Sequence, residues 1–176
     1  MTQYRRASVP GATWFFTVNL AERHGNRLLV DEIDTLRAAI RAVQAAHSFR
    51  IDAAVSLPDH LHCIWTLPPG DSDFSTRWSL IKGNFSRSVQ KRERLSQSRV
   101  KRGERGLWQR RFWEHHIRDE DDFRRHVDYI HWNAVKHGWV KSVLDWPHSS
   151  FHAHVRRGVY GTDWGGKGVS DINAGE

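Results

Sequence analysis

The sequence predicts an α+β domain in which helices pack on a central antiparallel sheet. Segments rich in aromatic and β-branched residues alternate along the chain with segments whose apolar residues recur at helical spacing. Two of the strand-like segments are separated only by Pro58-Asp59, and a connection that short requires antiparallel pairing. Strands and helices that interleave in this way favour a sheet with helices packed on it.

Four segments are predicted as strands. Residues 13–20 follow Pro10-Gly11 and read Thr-Trp-Phe-Phe-Thr-Val-Asn-Leu, which is typical of a strand. Residues 49–57 and 61–67 flank the tight turn and form the predicted hairpin. Residues 108–117 are a shorter, aromatic strand candidate.

Three segments are predicted as helices, each from one apolar stripe. The first covers residues 31–47, with Asp31 as its N-cap, and the second covers 74–89. The third runs from Asp119, a capping residue, to His137, and Gly138 ends it. The polar stretch 95–105 between the second and third helices is predicted to be a mobile loop.

The length of 176 residues favours one domain, which we assign to residues 1–166. Residues 167–176 are polar and are expected to form a disordered tail. The single cysteine, Cys63, excludes an intramolecular disulfide and is expected to be a buried thiol without chemistry. No run of about 18 apolar residues is present, so no membrane span is expected. Residues 1–16 lack a long apolar run and a small-residue cleavage site, which predicts a cytoplasmic protein.

The net charge of +7 is concentrated in one segment. Residues 82–111 contain eleven Lys and Arg against two Glu, a net +9, whereas the rest of the chain is −2. Such a block beside aromatic residues suits phosphates and stacked bases, although a solvated basic helix and loop would have the same composition. The residues expected to bind nucleic acid are Lys82, Arg87, Lys91, Arg99, Lys101, Arg102, Arg105, Trp108, Arg110, Arg111 and Trp113. Trp14, Trp65 and Trp78 are expected in the core instead.

His60 and His62 begin the second strand of the predicted hairpin. Residues i and i+2 of a strand point to the same face, so the two imidazoles project together while Leu61 enters the opposite face. Two imidazoles so placed can share one divalent metal and leave most of its coordination sphere open, which suits catalysis. Two surface histidines placed by chance remain the alternative.

A polar edge follows the apolar stripe of the third helix. Asp122, His126, Tyr129 and Asn133 line it at spacings of four, three and four residues, which makes Tyr129 and Asn133 neighbours. Tyr129 could be an ordinary rim residue with its hydroxyl in water. The Asn133 carboxamide could ligate a metal through its oxygen or simply lie at the surface.

Four blocks in this order resemble the single-tyrosine HUH transposases, and more narrowly those associated with repetitive extragenic palindromes (REPs). The blocks are PDHLH at 58–62, WQRRFWEH at 108–115, YIHWNAVKHG at 129–138 and DWPHSSF at 145–151. The chain departs from many relatives at Ala134, where they carry proline, and at His148, where they carry tyrosine. Neither position is a proposed catalytic group.

The resemblance implies a ferredoxin-like or RRM-like HUH fold and a particular site. His60, His62 and Asn133 would hold Mg²⁺ or Mn²⁺, and Tyr129 would attack the scissile phosphate to give a 5′-phosphotyrosine. His126 is a candidate proton acceptor. The implied substrate is single-stranded DNA whose palindrome folds as a hairpin, with Arg5 and Arg6 in a segment that could touch a 5′ guide sequence.

Two other functions share these features. One is a catalytically silent nucleic-acid-binding protein of the same fold, and the other is a rolling-circle replication or relaxase-type nickase. The nickases usually carry additional domains, for which 176 residues leave little room. The resemblance favours a monomer over a dimer, and a bacterial cytoplasmic protein that associates with the nucleoid when bound to DNA.

Overall fold

The computed structural model describes residues 8–91, 93, 97–103, 105–169, 172, 174 and 175. Strands and helices alternate along them, and the α+β expectation is confirmed. In chain order the elements are β1 (Thr13–Asn19), α1 (Leu28–Asp31), α2 (Ile33–Ala46), β2 (Arg50–Ser56), β3 (His60–Thr66), α3 (Phe74–Ser88), α4 (Gln97–Lys101), β4 (Trp113–His116), α5 (Glu120–Lys136), a 3₁₀ turn (Val143–Asp145) and α6 (Phe151–Arg156).

The sheet has four strands in the order β2-β3-β1-β4, and every neighbouring pair is antiparallel. The hairpin predicted around Pro58-Asp59 is the β2–β3 pair. The first strand lies at the centre beside β3, with Thr17 opposite His62 and Asn19 opposite His60. The two central strands therefore carry the histidines and the residues that face them.

Each face of the sheet covers its own core, because alternate residues of a strand point to opposite sides. On one face, Phe16 of β1 and Trp65 of β3 pack with α2 and α3. Cys63 is buried on this side, as expected. On the other face, Phe15 and Ile64 pack against α5, so this helix lies over the face that carries the histidines.

Several helices and strands begin or end at residues other than those predicted, because the local sequence pattern does not show where an element is interrupted. The first predicted helix starts earlier and is divided at Glu32 into α1 and α2. The stretch 95–105, predicted to be a loop, contains the short helix α4. The last strand is shorter than predicted because Trp108 makes only an isolated bridge to Leu20 and regular pairing starts at Trp113.

The edge of β2 is covered by the segment that precedes α6. Ser150 donates its amide to the Ala54 carbonyl at 2.8 Å, and its hydroxyl accepts the Ala54 amide at 2.9 Å. The Trp146 indole donates to the Ser56 carbonyl at 3.0 Å. The block at 145–151 therefore closes a sheet edge that could otherwise pair with another chain.

The described residues near the C-terminus return to the sheet. The Ala174 carbonyl accepts a hydrogen bond from the Thr17 hydroxyl, and Ala174 is buried. The Gly175 carbonyl accepts from Asn19 Nδ2 at 3.3 Å. Gly175 has φ +67° and lies so close to the Trp113 ring that a side chain there would clash. Within the described ranges, no helix combines the length and the apolar character needed to cross a bilayer.

Candidate active site

His60 and His62 lie side by side on the face of β3 that α5 covers. Both are buried, and their ring centroids are 5.0 Å apart. The strand alternation predicted from the sequence is confirmed, because Leu61 enters the opposite core. The two imidazoles therefore point into one buried space between the sheet and the helix.

The hydrogen bonds at Nδ1 of His60 and His62 determine the tautomer of each imidazole, and so whether Nε2 carries a proton or a lone pair. His62 Nδ1 lies 2.8 Å from Thr17 Oγ1, and the Thr17 hydroxyl already donates to Ala174. Thr17 therefore accepts the Nδ1 proton of His62. His60 Nδ1 lies 2.7 Å from a carboxylate oxygen of Asp59, to which it donates. In both rings Nε2 then carries the lone pair, which is the form that ligates a metal.

Asp59 is held in its charged form. Burial raises the pKa of this carboxyl, but hydrogen bonds from His60 and from Arg23 outweigh burial and lower the pKa to about 2. Arg23 Nε lies 2.7 Å from Asp59 Oδ2. A charged carboxylate behind an imidazole makes its Nε2 a better ligand, and it fixes the orientation of the ring.

Tyr129 is fully buried in the centre of α5, beneath this pair of histidines. The Asp119 side chain caps the helix, as predicted, by accepting from the Asp122 amide at 2.8 Å. The ring centroid of Tyr129 is 5.6 Å from that of His62 and 6.3 Å from that of Phe15. The alternative in which its hydroxyl projects into water does not describe this structure.

Asn133 lies between two contacts that join α5 to β3. One turn before it, Tyr129 contacts His62, and one turn after it, the ring of His137 is 5.3 Å from that of His60. Asn133 is itself fully buried on the same side of the helix. Two imidazoles and a carboxamide oxygen form a donor set that suits a divalent ion with positions left open for substrate.

The Tyr129 hydroxyl accepts a hydrogen bond from Lys136. Lys136 Nζ lies 2.7 Å from the phenolic oxygen and 4.7 Å from the centroid of its ring. Lys136 occupies the last turn of α5 and is half-buried. The residue belongs to the block that carries the family resemblance, but the sequence pattern assigns it no role.

His126 belongs to a neighbouring cluster. Its Nδ1 donates to the Asp122 carbonyl at 2.7 Å, and its ring stacks on His115 with centroids 4.6 Å apart. Burial, more than any neighbour, lowers the pKa of His126. His115, Asp122 and His126 bring ligand-type atoms within 4.8 Å of one another. Arg118 also pairs with the Asp122 carboxylate, which supports a hydrogen-bonded network at this position.

The basic segment forms a largely exposed surface on α3, α4 and the loop that leads to β4. Its half-buried members bond locally: Lys82 Nζ donates to the Gln109 carbonyl at 2.6 Å, and Arg99 donates to the Trp108 carbonyl at 3.4 Å. The members that are exposed are Arg87, Lys91, Lys101, Arg102, Arg110 and Arg111.

Arg105 is half-buried and bound to other residues of the chain, and its expected role in nucleic-acid binding stays a prediction. Its guanidinium pairs with Glu93 at 2.6 Å and donates to the carbonyls of Val89 and Gln90 at 2.7 and 2.9 Å. These carbonyls follow the end of α3 and need donors. Arg105 therefore stabilises the end of a helix.

Trp108 and Trp113 differ in exposure, and for both of them contact with nucleic acid stays a prediction. Trp108 is buried against Phe85, with ring centroids 5.4 Å apart. Trp113 is half-buried and borders an open cleft of about 670 Å³, together with Asn19 and Arg111. Trp14, Trp65 and Trp78 are buried, as predicted, and Arg5 and Arg6 lie outside the described residues.

Besides Asp59 and Lys136, three residues that contact the site were not predicted from the sequence. Thr17 and Arg23 act on the two histidines from other elements, and His137 approaches His60 from the end of α5. Hydrophobic periodicity carries no signal for such contacts. The register of β1 against β3 would have placed Thr17 opposite His62.

The family is decided by comparison with known proteins. The model of the family described as "Transposase IS200 like" matches residues 18–133, more than half of the chain. The chain belongs to this family. A protein of Escherichia coli K12, named "REP-associated tyrosine transposase", is 51% identical over 176 residues, covering 100% of this chain and 98% of its own.

Two further matches extend over almost the whole chain of this transposase. A relative from Haemophilus influenzae is 42% identical over 167 residues, 94% of each chain. A solved structure of a REP-associated tyrosine transposase bound to a REP hairpin superposes with a TM-score of 0.85 at 50% identity, covering 100% of this chain and 98% of that one. The family resemblance found in the four sequence blocks is thereby confirmed.

Proposed function

We propose that this transposase recognises palindromic, REP-type hairpins in single-stranded DNA and cuts and rejoins the strand through a 5′-phosphotyrosine at Tyr129. The observation that carries the proposal is the contact between Tyr129 and His62, whose ring centroids are 5.6 Å apart within one chain. A phenolic nucleophile beside two imidazoles is an arrangement suited to phosphoryl transfer.

The donor set supports a metal at His60, His62 and Asn133. Asp59 and Thr17 fix the tautomers that make both histidines ligands, and Asn133 is buried on α5, on the same side of the helix as Tyr129. Bound Mg²⁺ or Mn²⁺ would polarise the scissile phosphate and offset the charge that develops on it.

The remaining residues bind and expose the strand. The exposed basic surface on α3 and α4 suits a DNA backbone, and Trp113 borders an open cleft in which a base could stack. Tyr129 is fully buried, so a phosphate can reach its oxygen only when the groups that cover it move. His126 is the candidate that receives the phenolic proton.

A hairpin substrate is supported by the relative whose structure is described as bound to a REP hairpin. All of the residues proposed for the chemistry lie in one chain, and two of them, His62 and Tyr129, are in contact. We therefore propose that a single copy forms a complete site and that the transposase acts on DNA as a monomer.

The test is an adduct assay with a hairpin oligonucleotide and a single-stranded flank, in Mg²⁺ or Mn²⁺. Label at the 3′ end should appear in a covalent protein adduct on a denaturing gel, and label at the 5′ end in a shorter free strand. Tyr129→Phe should give neither product. Tyr160→Phe is the matched control and should retain both, because Tyr160 bonds to Asp128 instead.

Two outcomes would contradict the proposal. An adduct formed by Tyr129→Phe would assign the nucleophile elsewhere. Equal cleavage of a scrambled strand that cannot form the hairpin would remove the palindrome from the substrate.

A further inference from the structure

We propose that Lys136 is a further catalytic residue of this transposase, whose ammonium stabilises the negative charge on the Tyr129 oxygen during both cutting and rejoining. The proposal rests on the proposed function of Tyr129 as the nucleophile. It assigns to the chain a fixed positive charge at the reacting oxygen, separate from the histidines that hold the metal.

The geometry places the ammonium on the oxygen itself. Lys136 Nζ lies 2.7 Å from the Tyr129 hydroxyl oxygen, within the range of a charge-assisted hydrogen bond. It also lies 4.7 Å from the ring centroid. Side chains of a helix lean toward its N-terminus, which is how Lys136, seven residues after Tyr129, can reach back to it. The contact therefore joins two residues of one rigid helix.

The surroundings strengthen this contact. Tyr129 is fully buried and Lys136 is half-buried, so the hydrogen bond is screened less than a surface pair would be. Lys136 is the basic residue of the last turn of α5, where the helix dipole favours a cation. Both effects favour a charged amine held in one position.

The two half-reactions each place charge on this oxygen. In cutting, the bond from the Tyr129 oxygen to phosphorus forms and the bond from phosphorus to the 3′ oxygen breaks. The phenolic proton is released and the 3′ oxygen takes up a proton, so the step is balanced. In rejoining, a 3′-hydroxyl attacks phosphorus and the Tyr129 oxygen leaves as phenolate. Lys136 keeps its proton in both directions and acts only as a donor.

Two other roles would use the same contact. Lys136 could simply satisfy a buried hydroxyl, which is a structural role, or it could bind the substrate phosphate. The first depends on packing and the second on affinity for DNA. Stabilisation of charge on the Tyr129 oxygen depends neither on packing nor on affinity for DNA. Measurements of packing, affinity and reaction rate can therefore separate the three roles.

The first experiment compares Lys136→Met and Lys136→Arg with Lys141→Met, an exposed lysine beyond the helix. Single-turnover cleavage of the hairpin strand should fall about 100-fold in Lys136→Met, the size seen when one donor to a developing oxyanion is removed. Rejoining should fall by a similar factor. Lys136→Arg should recover at least a tenth of the rate, and Lys141→Met should match the wild type.

A second measurement isolates the phosphate-binding role. In a Tyr129→Phe background, which cannot react, Lys136→Met should leave hairpin affinity unchanged within about twofold. A loss of affinity as large as the loss of rate would show that Lys136 binds phosphate, and it would overturn the proposal. Wild-type rates in Lys136→Met would overturn it as well.

Chemical rescue isolates the packing role. Lys136→Cys, made in a Cys63→Ala background, is treated with 2-bromoethylamine to restore an amine or with iodoacetamide to add a neutral group. Only the amine should restore cleavage, and equal recovery with both reagents would show a packing role and overturn the proposal. An adduct formed by Tyr129→Phe would instead show that Tyr129 is not the nucleophile. The proposed function would then be wrong, and so would the role of Lys136 that rests on it.

Discussion

Thr17 and His62 face each other across the two central strands, with Oγ1 of the threonine 2.8 Å from Nδ1 of the histidine. The threonine is fully buried and its hydroxyl proton is donated to the Ala174 carbonyl, so it can only accept from the imidazole. A single hydroxyl therefore determines which nitrogen His62 offers to a metal.

Thr17→Val removes this hydroxyl and keeps the shape of the side chain. We expect Mn²⁺ affinity to fall 10- to 100-fold, as is typical when the partner of a ligating histidine is lost. Mn²⁺ binding can be followed by electron paramagnetic resonance without DNA. Thr13→Val, which breaks the 2.8 Å contact with Thr66 at the other end of the strand, is the matched control and should bind Mn²⁺ normally.

Asp122 should make folding stability depend on pH below about 4. Burial raises the pKa of this carboxyl, but hydrogen bonds from His115 and from the Arg118 amide outweigh burial and lower it to about 2. A carboxyl whose pKa is lower in the folded state contributes stability above its unfolded pKa and loses it as the pH falls toward the folded pKa. The expected loss is about 1 kcal/mol between pH 7 and pH 3.

Urea unfolding at the two pH values checks this effect. The wild type should lose about 1 kcal/mol more than Asp122→Asn over this range. Asp121→Asn, at an exposed position on the same turn of α5, is the control and should behave like the wild type. Parallel pH profiles for wild type and Asp122→Asn would show that the network at His115 contributes nothing to this dependence.

Substitutions at Arg105 and Arg111 should have different effects, the first on folding stability and the second on DNA binding. Arg105→Ala removes the partner of Glu93 and the donor to the end of α3, and should cost about 3 kcal/mol of unfolding free energy. Arg111→Ala, at an exposed position, should leave the unfolding free energy unchanged. It should instead weaken hairpin binding and reduce by about one the slope of log affinity against log salt.

Trp108 should also behave as a structural residue. Trp108→Ala leaves a cavity beside Phe85 and should cost about 3 kcal/mol of unfolding free energy. Trp139→Ala is the control, since 46% of Trp139 is exposed, and it should cost less than about 0.5 kcal/mol. If Trp108→Ala retained full stability but lost hairpin affinity, Trp108 would bind DNA and would not be a structural residue.

Features with a local pattern could be predicted from the sequence. The hairpin at Pro58-Asp59 and the shared face of His60 and His62 follow from turn chemistry and the two-residue repeat of a strand. The apolar stripe of α5 was predicted too narrowly. His126, Tyr129 and Asn133, which were expected at its edge, are buried with the stripe where α5 packs on the sheet.

Contacts made at long range could not be predicted in the same way. Residue spacing does not show that Tyr129 meets His62, and the expectation came from the family resemblance. The basic segment 82–111 shows where positive charge is concentrated in the sequence. It does not show which of its guanidinium groups are exposed in the fold. The Arg105 guanidinium is half-buried because it donates to the backbone carbonyls of Val89 and Gln90, which follow the end of α3.

The contact between Tyr129 and His62 also limits how many DNA ends one copy can hold. Among the described residues, Tyr129 is the tyrosine whose ring contacts a histidine of the pair, and under the proposed function its oxygen is occupied from the first cut until the strand is resealed. Releasing a segment requires breaks at both of its flanks. Two copies must therefore work together, or one copy must finish a complete cycle at the first flank before it begins at the second.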